Sequence, residues 1–147
     1  MHRRMPVLVA ILALTLSGTA AYSADNQALE RVLDQWATAW SSNDSERLLP
    51  LFTDNIVYED VTFGPVNQGK TALRDFATAT FGVFADLKFE LKSRMVAADG
   101  KSGAMEWVWR GRQTKDFPGL PATNKPFAVR GATVVVFWKD QSQFRLF

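Results

Sequence analysis

The strongest constraint on how this chain folds is a change of hydrophobic period near Asp86. Before that point, Leu29, Val32, Leu33, Trp36 and Trp40 recur at helical spacing, and so do Leu73, Phe76, Ala77, Thr80, Phe81 and Phe84. After it, Leu87, Phe89 and Leu91 alternate with Lys88, Glu90 and Lys92. A helix returns to the same face every 3.6 residues and a strand every two, so the pattern predicts helices first and strands afterwards. That order belongs to the α+β class, with helices gathered on one face of an antiparallel sheet. At 147 residues the chain has room for one such domain.

The boundaries follow from local chemistry. In the first helix Glu30, Arg31, Asp34 and Gln35 fill the polar side, and Ser41, Ser42, Asn43 and Asp44 break the pattern. Asn43 and Glu46 have capping-box spacing for a short second helix carrying Leu48, Leu49 and Phe52, which Pro50 should kink or shorten. Ile56 to Val61 reads as a short strand with Ile56, Tyr58 and Asp60 on one face and Glu59 on the other. A loop with Gly64, Pro65 and Gly69 leads to the third helix. The strand after Asp86 reaches a turn at Asp99-Gly100, and its partner spans Met105 to Gln113. In that partner Met105, Trp107 and Trp109 share one face, with Glu106, Val108, Arg110 and Arg112 on the other. A register shifted by one would exchange the two sets. A loop at Phe117-Pro118-Gly119-Leu120-Pro121, a strand from Pro126 to Trp138 and a brief segment from Ser142 to Phe147 complete the chain.

The N-terminus reads as an address. His2, Arg3 and Arg4 precede an apolar run from Val7 to Leu16, then small residues through Ala24, the order of a secretory signal peptide. Cleavage after Ala21 or Ser23 is expected, giving a signal at 1–23, a domain at 24–147 and a periplasmic or secreted product with no membrane attachment. The alternative is an N-terminal membrane anchor, for which the run is short. Cleavage after Ser23 removes Arg3 and Arg4 from the 17 basic side chains and leaves them equal in number to the 15 acidic ones. No basic face then remains for nucleic acid. Cysteine is absent and His2 is the only histidine, which excludes thiol catalysis, disulfides, Ser-His-Asp chemistry and Cys/His metal sites.

Several motifs in this order resemble the SnoaL-like family of the nuclear transport factor two superfamily. They are Gln35-Trp36-Ala37-Thr38-Ala39-Trp40 followed by Asn43-Asp44, Phe52-Thr53-Asp54 running into Tyr58-Glu59-Asp60, Gly69 opening a helix, and Glu106-Trp107 with Arg110-Gly111. The stretch Phe117 to Thr123 continuing to Val129-Arg130-Gly131-Ala132 is the most specific. The resemblance covers about Leu29 to Trp138. It implies a cone-shaped curved sheet with about three helices on its concave face, enclosing a small-molecule pocket. The superfamily includes ketosteroid isomerases, polyketide cyclases, scytalone dehydratase and limonene epoxide hydrolase. The resemblance also implies a homodimer paired through the outer sheet face at Glu106, Val108 and Arg110. A full last strand would follow the turn at Lys139-Asp140, where this chain is short or truncated.

The ketosteroid isomerase pattern places its proton-shuttling base at the end of the first strand, where this chain has Asp60. A carboxylate in an apolar cavity is raised toward working pH and becomes a usable acid or base. The plainer reading of Asp60 is a turn cap. Tyr58 would share its face and donate to a ligand oxygen. Trp36, Phe76, Trp107 and Trp109 would supply apolar walls, unless their rings only pack the core. Trp36 stands where the isomerase resemblance implies a tyrosine, and no aspartate occurs between Ala128 and Trp138, so steroid isomerisation is not expected. The expected function is an isomerase, cyclase or lyase step on an apolar carbonyl- or ring-bearing molecule, needing no metal or cofactor. The alternative is a non-catalytic binding or dimerisation module.

Overall fold

The period change separates the elements of the computed structural model, which describes residues 17–138 and 143–146. Helix α1 runs from Ser17 to Ser41, α2 from Ser45 to Leu48 with a 3-10 turn at Leu49–Leu51, and α3 from Gly69 to Val83. Strands β1 (Val57–Glu59) and β2 (Val66–Gln68) form a small antiparallel hairpin between α2 and α3. The main sheet is antiparallel in the order β3-β4-β5-β6, with β3 at Phe84–Val96, β4 at Ser102–Gln113, β5 at Pro126–Trp138 and β6 at Gln143–Leu146. Among the described residues, no helix is long and apolar enough to cross a membrane. The chain is therefore α+β. The apolar run Val7–Leu16 lies outside the described residues.

Helix α1 begins at Ser17, earlier than its apolar stripe. Its end is local: the Ser41 and Ser42 hydroxyls donate to the Ala37 and Ala39 carbonyls at 2.7 and 2.6 Å, and Asn43 turns to a φ of 55°. The expected capping box at Asn43 is not formed. Asp44 caps α2 instead, its Oδ1 accepting from the Glu46 amide at 2.9 Å, because Asn43 is already spent on reversing the chain. Pro50 sits inside the 3-10 turn, where α2 stops. The loop expected before α3 contains β2, whose three residues are too few to show a period. At Gly69 the backbone takes a φ of 80°, so glycine admits the sharp entry into α3.

Phe84, expected on the stripe of α3, is the first residue of β3 and pairs with Gln113. The register slips between Ala85 and Lys88, with Asp86 at a φ of 58°, and again between Leu91 and Ser93. Such bulges bend a strand and increase its twist. The Phe89 amide donates to Ser41 Oγ at 2.9 Å and so ties the bent strand to the end of α1.

Met105 pairs with Thr133, Trp107 with Gly131 and Trp109 with Val129, all on the face turned toward the helices. The shifted register is thereby excluded. Glu106, Arg110 and Arg112 lie on the outer face, bridged to Arg130 at 2.8 Å, Glu90 at 3.4 Å and Asp86 at 3.2 Å. A hydrogen bond from Lys92, with Arg110 and Lys88 nearby, holds the Glu90 carboxyl below the usual carboxylate range. The inner face buries Leu29, Leu33, Trp36 and Trp40 of α1 against Met105, Val135 and Phe137, with Leu48, Phe52, Ile56, Tyr58, Leu73 and Ala77 closing the core.

Candidate functional site

The space between the helices and the sheet, expected to be a pocket, is filled with rings. Trp36 lies 5.1 Å from Phe89 and 6.4 Å from Trp107 between ring centres. Trp40 lies 5.6 Å from Phe81 and 5.8 Å from Tyr58, and Tyr58 lies 5.8 Å from Phe76. Phe89 continues the array onto Trp109, stacked at 5.8 Å. Of the expected ligand-contacting residues, Trp36, Tyr58, Phe76 and Trp107 thus meet one another as core. Trp36 and Tyr58 are buried in this array, whereas Phe76 and Trp107 stay half-buried at its edge.

Trp109 is placed differently. It belongs to a second apolar cluster with Phe84 and Leu87, against which Phe63, Phe117 and Phe127 pack. Here β3 begins, β4 ends and β5 begins, so the end of the sheet meets the β1–β2 turn and the loop 114–125. An open groove of ≈ 190 Å³ lies at this meeting point, lined among others by Phe63, Phe84, Trp109, Gln113, Lys125 and Phe127. A cavity of about 150 Å³ is enough to take benzene. Another groove, ≈ 240 Å³, lies on the outer face around Ser93, Met95, Ala104, Glu106 and Ala132, away from every expected site residue.

Two turns shape the aromatic groove. In the first, Asp60 Oδ1 accepts from the Thr62 and Phe63 amides, both at 3.0 Å, so its carboxylate fixes the turn that carries Phe63 onto the groove wall. The structure assigns Asp60 the capping geometry. It is only half-buried and does not line the groove. In the second, Gln113 Nε2 donates to the Lys115 and Leu120 carbonyls at 3.2 and 2.9 Å, and Asp116 Oδ1 accepts from the Ala122 amide at 2.7 Å. Phe117 and Leu120 close the turn by mutual backbone bonds of 2.9 and 2.7 Å.

Several buried donors stand unpaired. The indole N–H groups of Trp36, Trp40 and Trp109 and the hydroxyl of Thr53 are buried without a hydrogen-bond partner. Such groups cost on the order of 1–3 kcal/mol each when left unpaired. Trp107 differs: its Nε1 donates to Thr133 Oγ1 at 2.8 Å. Burial pushes the Tyr58 phenol far above its ordinary range, and the neighbouring Asp60 carboxylate pushes in the same direction. Tyr58 is thus a proton-bearing donor at any physiological pH. Among the described residues, no three acidic, histidine or cysteine side chains come together as metal ligands.

Sequence reasoning singled out Trp109 but missed Phe63, Phe84, Gln113, Lys125 and Phe127. The signal available was the Phe117 to Thr123 stretch, the most specific of the motifs, whose flanks carry Gln113 and Lys125 onto the groove.

The same architecture recurs in solved structures. A protein with a ketosteroid isomerase-like fold from Catenulispora acidiphila, solved with trimethylamine, superposes with a TM-score of 0.65 at 22% identity, over 77% of this chain and 78% of that one. A candidate polyketide cyclase from Xanthomonas campestris gives 0.70 at 15%, over 82% and 87%. The epoxide hydrolase/cyclase-like enzyme of pyran ring formation in the polyether salinomycin gives 0.66 at 18%, over 82% and 90%. These identities speak for the fold alone. No curated protein matches the sequence. The SnoaL-like domain model, however, matches residues 33–143, from the buried face of α1 through the groove loop to the start of β6, and by that match the chain belongs to the SnoaL-like domain family.

Proposed function

We propose that this protein binds a small, flat, apolar molecule with a hydrogen-bond acceptor in the groove between the Phe63 turn and the loop 114–125. The observation that carries the reading is Trp109: its ring lines the groove and its buried N–H has no partner. Apolar walls with few, well-placed polar atoms are the usual make-up of a small-molecule site. Carbonyl- or ring-oxygen-bearing compounds meet both requirements, and the cyclase and cyclase-like names among the structural neighbours agree with such ligands.

A catalytic form of the reading is favoured by Asp60. Its Oδ1 is held by two amides, which leaves Oδ2 for proton traffic one turn away from the groove wall at Phe63. In an isomerase, cyclase or lyase step a proton would pass from the ligand carbon beside the carbonyl through one water to Oδ2 and be returned to the ligand the same way, since Asp60 does not itself line the groove. The protein would be exported by its N-terminal signal to the periplasm or medium. It would pair as a homodimer through the outer sheet face at Glu106, Val108 and Arg110, the face on which Met95 and Val134, paired with Ala104, are each 63% exposed while Val108 is 8% exposed.

Titration with flat carbonyl compounds, followed through the indole N–H resonances, tests the reading. The Trp109 resonance should move, and Trp109→Phe should weaken binding by up to about tenfold, one hydrogen bond's worth. Shifts confined to outer-face residues would contradict it. Where a substrate turns over, Asp60→Asn should slow it by roughly two to four orders of magnitude.

A further inference from the structure

The polar atoms of the aromatic groove carry information about the charge of its ligand, an inference that rests on the binding reading above. Lys125 lines the groove, and among the described residues no carboxylate pairs with its side chain. The carboxylates of the two flanking turns are engaged elsewhere: Asp60 on the Thr62 and Phe63 amides, Asp116 on the Ala122 amide. Gln113, also on the wall, has given both amide hydrogens to the Lys115 and Leu120 carbonyls, so Oε1 is its uncommitted polar atom and can only accept. Apart from Thr123, whose hydroxyl oxygen accepts from the Lys125 amide at 3.3 Å, the other lining side chains are rings or aliphatic: Phe63, Phe84, Trp109, Leu120, Pro126, Phe127 and Val129.

From this arrangement we infer that the groove takes a ring-bearing monoanion. One ring rests on Phe84, Trp109 and Phe127, a carboxylate or comparable acid group meets the Lys125 ammonium, and a hydroxyl on the ring can donate to Gln113 Oε1. An apolar groove with a single unpaired cation attracts negative charge, and it repels a ligand ammonium for the same reason. The volume of ≈ 190 Å³ limits the buried part to about one ring. The acid group would sit toward solvent, since Lys125 is itself exposed.

Three probes that share one ring and differ in charge test the inference on the whole protein: benzoate, benzyl alcohol and benzylamine. Each is titrated at millimolar concentration while the indole N–H resonance of Trp109 is followed, assigned by its loss in Trp109→Phe. Benzoate should bind about three- to fivefold more tightly than benzyl alcohol, as an exposed ion pair allows, and benzylamine most weakly. Lys125→Met, an exposed substitution that spares the core, should remove the advantage of benzoate. Equal affinities, a preference for benzylamine, or a benzoate preference that survives Lys125→Met overturns the anion assignment while leaving the groove as a binding site. If none of the three moves the Trp109 resonance, the groove reading itself is wrong and this inference goes with it.

Discussion

Tyr58 and Asp60 stand two residues apart, yet the fold treats them oppositely. The phenol is inside, among Trp40, Phe52 and Phe76, whereas the carboxylate stays at the rim holding the amides of its own turn. Burial, and then the Asp60 charge, raise the Tyr58 pKa above its ordinary value of 10.0. In the unfolded chain the phenol ionises near that ordinary value and in the folded chain it does not. The stabilisation is therefore complete below pH 10 and is lost as pH rises above it, where the unfolded state sheds a proton that the folded state keeps. Denaturation followed from pH 8 to 11 should show stability falling at the alkaline end, and Tyr58→Phe should flatten that fall. The sequence placed Tyr58 and Asp60 on one strand face, but the strand ends at Glu59 and the next residue turns to cap. Alternation holds only while a partner strand continues, and three residues of β2 cannot carry it further.

At the scale of the element, β4 and β5 show how a strand positions a wall. Trp107 lies flat across Gly131 on the neighbouring strand, so a Cβ at Gly131 would overlap its six-membered ring. The indole N–H is caught by Thr133 two residues along. This pairing holds Trp107 against Trp36 and Phe89. Gly131→Ala should force the ring aside, cost about 1–3 kcal/mol in urea denaturation and alter the near-ultraviolet circular dichroism of the aromatic array. An unchanged spectrum and midpoint would mean that the ring is not seated on the glycine. The motif Val129-Arg130-Gly131-Ala132 was visible as a match in the sequence. Its physical role was not, because Trp107 and Gly131 are 24 positions apart and meet only through the register of two strands.

Over the whole molecule, α1 is seated by Leu29, Leu33, Trp36 and Trp40, and Trp36 is 1% exposed at the centre of the ring array. Trp36→Ala should cost on the order of 3–5 kcal/mol, read as a lower urea midpoint, because the cavity left behind is walled by stiff rings that cannot collapse into it. What the sequence by itself determined was the class of the fold, the order of its long elements and the inward face of β4. Period, turn chemistry and caps act over a few residues and can be read in place: Pro126 to Trp138 is the expected strand, and Asp99-Gly100 is the expected turn between β3 and β4. The tertiary structure alone decided that Trp36, Tyr58, Phe76 and Trp107 pack into one aromatic array, that Asp60 caps a turn, and that the open groove forms at the sheet end around Trp109, Gln113 and Lys125. Whether an aromatic face becomes a wall or a plug depends on the summed volumes of side chains arriving from α1, β1, α3 and three strands of the sheet. No local pattern carries that sum, because close packing is settled only when all of those side chains share one space.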